Sequence, residues 1–191
     1  MSSRGVKSEL ALWHEYDVLP GDRCLYMGTD NGVDSDMAER TIKNLHIIDK
    51  TKHADGITIK MNNIGGDICH GLAIYDAIIT CQNDIKIIAY GHAMSMGSFI
   101  FQAADERIMS PNCRMMIHYG QGGTHGHMKD VYKHTDELKA LDKIINEIYL
   151  SKIKESKPRF TMKQLEDKMS FDWFLSPQEA ITFGLCDRIL E

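Results

Sequence analysis

Apolar residues recur at two different periods along this chain, and the two periods alternate. Short apolar or alternating runs predict strands at Arg23 to Met27, Ile57 to Met61, Ile85 to Tyr90, Arg107 to Met109, Met115 to Ile117 and Cys186 to Leu190. Stripes at helical spacing fall between them. Met37, Ile42, Leu45 and Ile48 follow the cap residue Asp34, and Ile68, Leu72, Tyr75 and Ile79 are placed inward on a helix from Asp67 to Cys81. A small-residue and apolar run, Ser95 to Ala104, reads as a helix entered straight from a strand. A long polar helix from Lys129 to about Glu155 carries Val131, Leu138, Leu141, Ile145, Ile148 and Ile153. After a break at Pro158, a short helix is predicted over Thr161 to Lys168. Ser176-Pro177-Gln178-Glu179 is a helix start, with a serine cap, proline at the first position and glutamate at the third. Ahead of all these, Met1 to Ser8 is polar and adaptable, and Leu10 to Val18 runs into a turn at Leu19-Pro20-Gly21-Asp22. Strands alternating with helices imply an α/β fold with a largely parallel sheet.

Composition narrows the function classes. At 191 residues the chain is one domain with room for a real core. A formal charge of −5 argues against general affinity for nucleic acid or acidic membranes. No apolar run has the span of a bilayer, and no N-terminal segment reads as a signal peptide. Cys24, Cys69, Cys81, Cys113 and Cys186 are odd in number and contain no CxxC pair, so reduced thiols in a cytosolic compartment are expected. His125, His127 and His134 could suggest a metal, but an exposed polar loop and helix explains them, and no cofactor is expected.

Candidate chemistry gathers at strand ends, where open α/β sheets place their sites. Gly91-His92-Ala93-Met94-Ser95-Met96-Gly97 puts a serine at a strand-to-helix turn, its hydroxyl exposed beside the unpaired N–H groups of a helix start. Ser95 could equally be a helix cap in a tight turn. His118 ends a strand, and Asp172 lies in the segment Ser170 to Leu175. Taken singly, these read as a structural histidine and a loop carboxylate. Together, a serine, a histidine and an acid suffice for acyl transfer.

Several blocks in register resemble the proteolytic-subunit family of the Clp protease, ClpP. Asn63-Ile64-Gly65-Gly66 resembles its glycine loop, with Gly71 and Ala73-Ile74-Tyr75-Asp76 in the helix behind it. Gly91 to Gly97 resembles its nucleophile block, and Pro111-Asn112-Cys113-Arg114-Met115-Met116-Ile117-His118 the block that carries its base. Asp172 with Phe174-Leu175-Ser176, Glu179-Ala180 and Phe183-Gly184-Leu185-Cys186-Asp187 resembles the C-terminal block.

The resemblance implies a ClpP/crotonase-like α/β fold with a mostly parallel sheet, flanking helices and a protruding handle helix. Residues 1–22 would be a short N-terminal segment and 23–191 a single peptidase domain, the handle region spanning about 120–160. It implies a serine endopeptidase acting on peptides or unfolded proteins, with Ser95 as nucleophile, His118 as general base and Asp172 as orienting acid. Asp167 and Asp187 are the competing carboxylates. The backbone N–H groups of Gly66 and Met96 would form the oxyanion hole. The glycine-rich loop, through Gly120, Gly122 and Gly123, would hold an extended substrate by strand addition. The implied assembly is two stacked heptameric rings joined by the long helix, with Leu138, Leu141, Ile145 and Ile148 serving the contact rather than the substrate. An AAA+ unfoldase is the implied partner. The short front, Met1 to Pro20, and the break at Leu19-Pro20-Gly21-Asp22 count against its docking, because the family carries an axial loop and a helix there. Ile64 replaces the usual proline of the glycine loop, and Ser156 to Phe160 belongs to a small insertion. The expected location is the cytoplasm, or a plastid stroma or host cytoplasm for a plastid or phage chain. Two other classes stay open: an acyl-CoA enzyme of the crotonase type, which shares the glycine-loop oxyanion hole, and a non-catalytic ring subunit.

Overall fold

The structure is a computed structural model and describes residues 8–29, 32–120, 123 and 125–191. It opens on helix α1 (Glu9–Tyr16), capped by the Ser8 side chain, which accepts the Ala11 N–H, and stopped by Asp17 at φ 57°. Strands β1 (Val18–Leu19) and β2 (Cys24–Met27) then pair antiparallel across the Pro20-containing turn. The break ahead of Arg23 is therefore where the sequence puts it. The helix in front of it is a correction to the reading of a front without one, and β1 joins the sheet before Arg23.

Helix α2 (Ser35–Ile48) starts where the Asp34 carboxylate accepts the Met37 N–H at 2.9 Å. Strand β3 (Ile57–Asn63) alternates buried and half-buried residues along its length. Helix α3 (Ile68–Ile79) is capped by Asp67, which accepts the His70 N–H. Its inward face is Gly71, Ile74, Tyr75 and Ile78, whereas Ile79 is 53% exposed, a rotation away from the predicted stripe. Gly71 packs closely on the next helix, where a Cβ would lie 3.3 Å from both Met96 Cβ and Cγ, and the inward face turns toward that contact. Strand β4 (Ile85–Met94) is the longest, and α4 (Met96–Phe101) follows it, ending three residues before the predicted end at Ala104. The rest of the chain is β5 (Glu106–Met109), β6 (Arg114–Ile117), α5 (Met128–Ser156), α6 (Met162–Met169), β7 (Trp173–Leu175), α7 (Pro177–Thr182) and β8 (Arg188–Ile189). Capping boxes start α6 at Thr161 and Gln164 and α7 at Ser176 and Glu179.

Strands β2, β3, β4, β5 and β8 run parallel in that spatial order, with β1 antiparallel at one edge. β4 forks. Lys86 to Ala89 pair with β5, and His92 to Met94 pair with β6, which continues antiparallel into β7. Gly91 sits between the two halves at φ 59°, a conformation that favours glycine, and a Cβ there would lie 2.9 Å from Asn62 Oδ1. The core lies between the sheet and α2 to α4. It is built on Ile59, Met61, Ile87 and Ala89 of the strands and Leu45, Ile74, Phe99 and Phe101 of the helices, all buried. Each large apolar side chain buried here contributes about 1.5–3 kcal/mol. Tyr75 stacks on Phe99 at 4.7 Å, and Phe99 meets Tyr149 of α5 edge-on at 5.9 Å. Helix α5 buries only Asn146, Tyr149 and Ile153, all in its second half; in its first half Val131, Thr135, Leu138 and Leu141 are half-buried and the rest is exposed. Among the described residues no helix is long and apolar enough to cross a membrane.

Candidate active site

The fork in β4 brings the site together. Beyond it the strand ends in Ser95, which adopts φ 50° and ψ −127°, a backbone conformation that L side chains rarely occupy. Four hydrogen bonds hold the turn. The Ser95 N–H donates to Met116 O at 2.8 Å, and its carbonyl accepts from Phe99 N–H at 3.1 Å and Ser98 Oγ at 2.7 Å. Ser98 Oγ also lies 3.0 Å from Met116 O. The Ser95 side chain makes no capping bond to α4. Its hydroxyl lies instead 2.8 Å from His118 Nε2.

Strand pairing explains why these two meet. β6 pairs with β4 from His92↔Arg114 to Met94↔Met116, so the residues just past each strand end, Ser95 and His118, come side by side. β7 runs antiparallel to β6, with Ile117 opposite Trp173, which sets Asp172 beside the other edge of the imidazole. Asp172 Oδ1 is 3.5 Å from His118 Nδ1, and its side chain is 53% exposed. Of the competing carboxylates, Asp187 accepts the Arg107 guanidinium at 2.6 Å and the Arg107 main-chain N–H at 2.7 Å, and among the described residues the Asp167 carboxylate makes no ion pair with His118.

The glycine loop closes over the same turn. Buried Asn63 shapes it: Oδ1 accepts the Gly65 N–H at 2.8 Å, and Nδ2 donates to Gly28 O at 2.8 Å. Gly65, at φ 99°, lies so close to the turn that a Cβ would stand 2.5 Å from Ser95 Cβ. Gly66 and Met96 border one cavity with Ser95 and His118. As the first residue of α4, Met96 has no carbonyl a turn earlier to take its N–H. Among the described residues the Gly66 N–H donates to no main-chain carbonyl.

That cavity has a volume of about 220 Å³. Ile68, Phe99 and Met169 form apolar walls, and Gly120 stands at its edge. Helix α5 closes it with Asp142, Ile145, Asn146 and Tyr149, which the sequence reading did not assign to the site. Ile145, read as a ring-contact residue, lines this cavity. The missed signal is a helical stripe: 142, 146, 149 and 153 recur at intervals of four, three and four. Burial pushes the Asp142 carboxyl above its usual value and pushes the Tyr149 phenol up as well. The Tyr149 hydroxyl lies 2.7 Å from Ser98 Oγ. Both carbonyls beside Ser98 can only accept, so Ser98 donates toward them and Tyr149 donates to Ser98. The handle helix thus bonds, through one hydroxyl, to the turn that carries Ser95. Gly123 is exposed, and Gly122 lies outside the described residues. His125, His127 and His134 are exposed, and among the described residues no group of three or more His, Cys, Asp or Glu is gathered as for a metal.

A nucleophile paired with an imidazole, backed by an acid and facing helix-start N–H groups, is an arrangement for acyl transfer. Comparison with known proteins agrees. The Clp protease family model matches residues 9–191. The ATP-dependent Clp protease proteolytic subunit of Deinococcus radiodurans is 33% identical over 178 residues, covering 92% of this chain and 84% of that protein. The chain therefore belongs to the Clp protease family of serine peptidases.

Proposed function

We propose that Ser95, His118 and Asp172 carry the peptidase chemistry. The observation behind this assignment is the 2.8 Å approach of Ser95 Oγ to His118 Nε2 at a turn whose hydroxyl caps nothing. Ser95 Oγ attacks the scissile carbonyl while its proton passes to His118 Nε2. Asp172, facing Nδ1, favours the tautomer able to accept it and stabilises the imidazolium. Negative charge on the carbonyl oxygen is received by the N–H groups of Gly66 and Met96. His118 returns its proton to the leaving amine, and water then releases the acyl group by the same route. Gly120 and Gly123, with Gly122 between them, hold an extended peptide or unfolded chain by strand addition.

The working assembly is two stacked heptameric rings. Support comes from the first half of α5, where no residue is buried and Met128 and Tyr132 are exposed, and from Ile144, 45% exposed, and Phe171, 83% exposed. Coupling to an AAA+ unfoldase draws support from the words "ATP-dependent" in the relative's name and from α1, a helix ahead of the sheet. A cytoplasmic location fits five unpaired cysteines, of which burial pushes Cys113 up to about 12.

The test is covalent. A fluorophosphonate probe should label Ser95 in the intact protein, with the modified peptide identified by mass spectrometry. Ser95→Ala should neither label nor cleave peptides. Cleavage by Ser95→Ala at the original rate would overturn the assignment.

A further inference from the structure

The cavity beside Ser95 is apolar on its walls but not throughout. Asp142 reaches it from α5, and among the described residues its carboxylate has no ion-pair or hydrogen-bond partner. The group lies beside Gly120, where a Cβ would stand 3.4 Å from Asp142 Oδ1 and 3.3 Å from Ile68 Cδ1. Asn146, one turn further along the same helix and buried, lines the cavity too, and its amide has no hydrogen bond to another described residue. A carboxylate that lines a cavity, half-exposed and without a partner, is free to pair with a cationic group that enters it.

We infer that this cavity selects the side chain on the acyl side of the scissile bond, and that Asp142 makes it prefer lysine or arginine. The inference rests on Ser95 being the nucleophile, since that places the cavity next to the bond cleaved. Ile68, Phe99, Ile145 and Met169 would cover the methylene stem, and the charged end would meet Asp142 at the rim with Asn146 accepting a further N–H. The pairing adds no chemical step. It lowers the free energy of the bound and reacting states for one class of peptide over another. The volume of about 220 Å³ admits one such side chain in extended form.

The experiment uses the assembled full-length protein and a set of fluorogenic peptides that differ only in the residue before the scissile bond: lysine, arginine, norleucine and glutamate. The wild-type protein should show kcat/KM for lysine or arginine at least about tenfold above norleucine, with glutamate lowest. Asp142→Asn keeps the shape and removes the charge, and should bring the lysine-to-norleucine ratio down about tenfold or more. Asp142→Lys should raise glutamate above lysine. Fluorophosphonate labelling of Ser95 is run on every sample. Full labelling with a norleucine preference in the wild type, or with a ratio indifferent to both substitutions, overturns the role of Asp142 and leaves the peptidase assignment standing. Absence of both labelling and cleavage overturns the assignment itself, and this inference with it.

Discussion

Asp172 Oδ1 stands 3.5 Å from His118 Nδ1, against 2.8 Å between the other imidazole nitrogen and Ser95. Charge-assisted hydrogen bonds are shorter, about 2.7–2.9 Å. Ser95 and His118 are thus closed on each other, while Asp172 lies more loosely at the solvent edge, just ahead of the three-residue strand β7.

Asp172→Asn should therefore lower kcat/KM by about 10³-fold, because the amide favours the wrong imidazole tautomer. Steady-state peptide hydrolysis measures this. An equal loss in Asp187→Asn, at a temperature where that variant is folded, would show that the acid is misassigned.

Asp187 has a different expected role. Burial alone would raise its carboxyl, but the bonds from the Arg107 side chain and main chain, with the guanidinium charge, hold it below its usual value. A carboxyl held down in the folded state favours folding above its unfolded pKa of about 4, and that contribution is lost as pH falls through the lower, folded value. Wild-type stability should thus fall with acid below about pH 4, and Asp187→Asn should lack this part of the fall. At pH 7 the variant should be about 1–2 kcal/mol less stable, because Arg107, buried at the other end of the pair, loses a charged acceptor. Urea unfolding at several pH values decides it. A variant with the wild-type pH profile would refute the account.

Tyr149→Phe keeps the ring against Phe99 and removes only the hydroxyl that bonds Ser98. Stability should fall by about 1 kcal/mol. Turnover should fall more than KM rises, since Ser98 positions the Ser95 turn and does not touch substrate. Ser98→Ala should behave alike, and the double variant should lose less than the sum. Additive losses would mean that the two hydroxyls act separately.

Leu141 is half-buried on the first half of α5, and it does not line the cavity. Leu141→Asp should disperse the rings and lower activity per chain by at least about tenfold, the scale on which small misplacements of reacting groups act. Sedimentation and peptide hydrolysis are read on the same samples across a concentration series. Dispersed chains with full activity would separate assembly from catalysis. Ile145, which faces the cavity, is unsuitable for this test.

What the sequence made legible follows the range of the interactions. Asp34, Asp67, Ser176 and Glu179 cap helices within three or four residues of themselves, so their roles are written locally. The parallel order of strands follows from their alternation with helices, and Ser95 and His118 each sit at a strand end that hydrophobic runs mark out, whereas β7, which carries Asp172 to the site, is three residues long and falls outside the predicted strands. The rotation of α3 was not legible, because it depends on the approach of Gly71 to Met96, 25 residues away in sequence. Nor was the part α5 plays in the cavity. Polar Asp142 and Asn146 on a polar helix look like solvent-facing residues until the helix is laid against Ser95. The helix of α1 was hidden by the turn after it.

The conformation of Ser95 also bears on how this chain can change. At φ 50° and ψ −127°, with Gly65 pressed against its Cβ, position 95 would fold with less strain as glycine. Selection for stability alone would push the position toward glycine and silence it in one step. A serine there marks a demand other than stability, and a descendant kept only as an inert scaffold would be expected to lose that hydroxyl early.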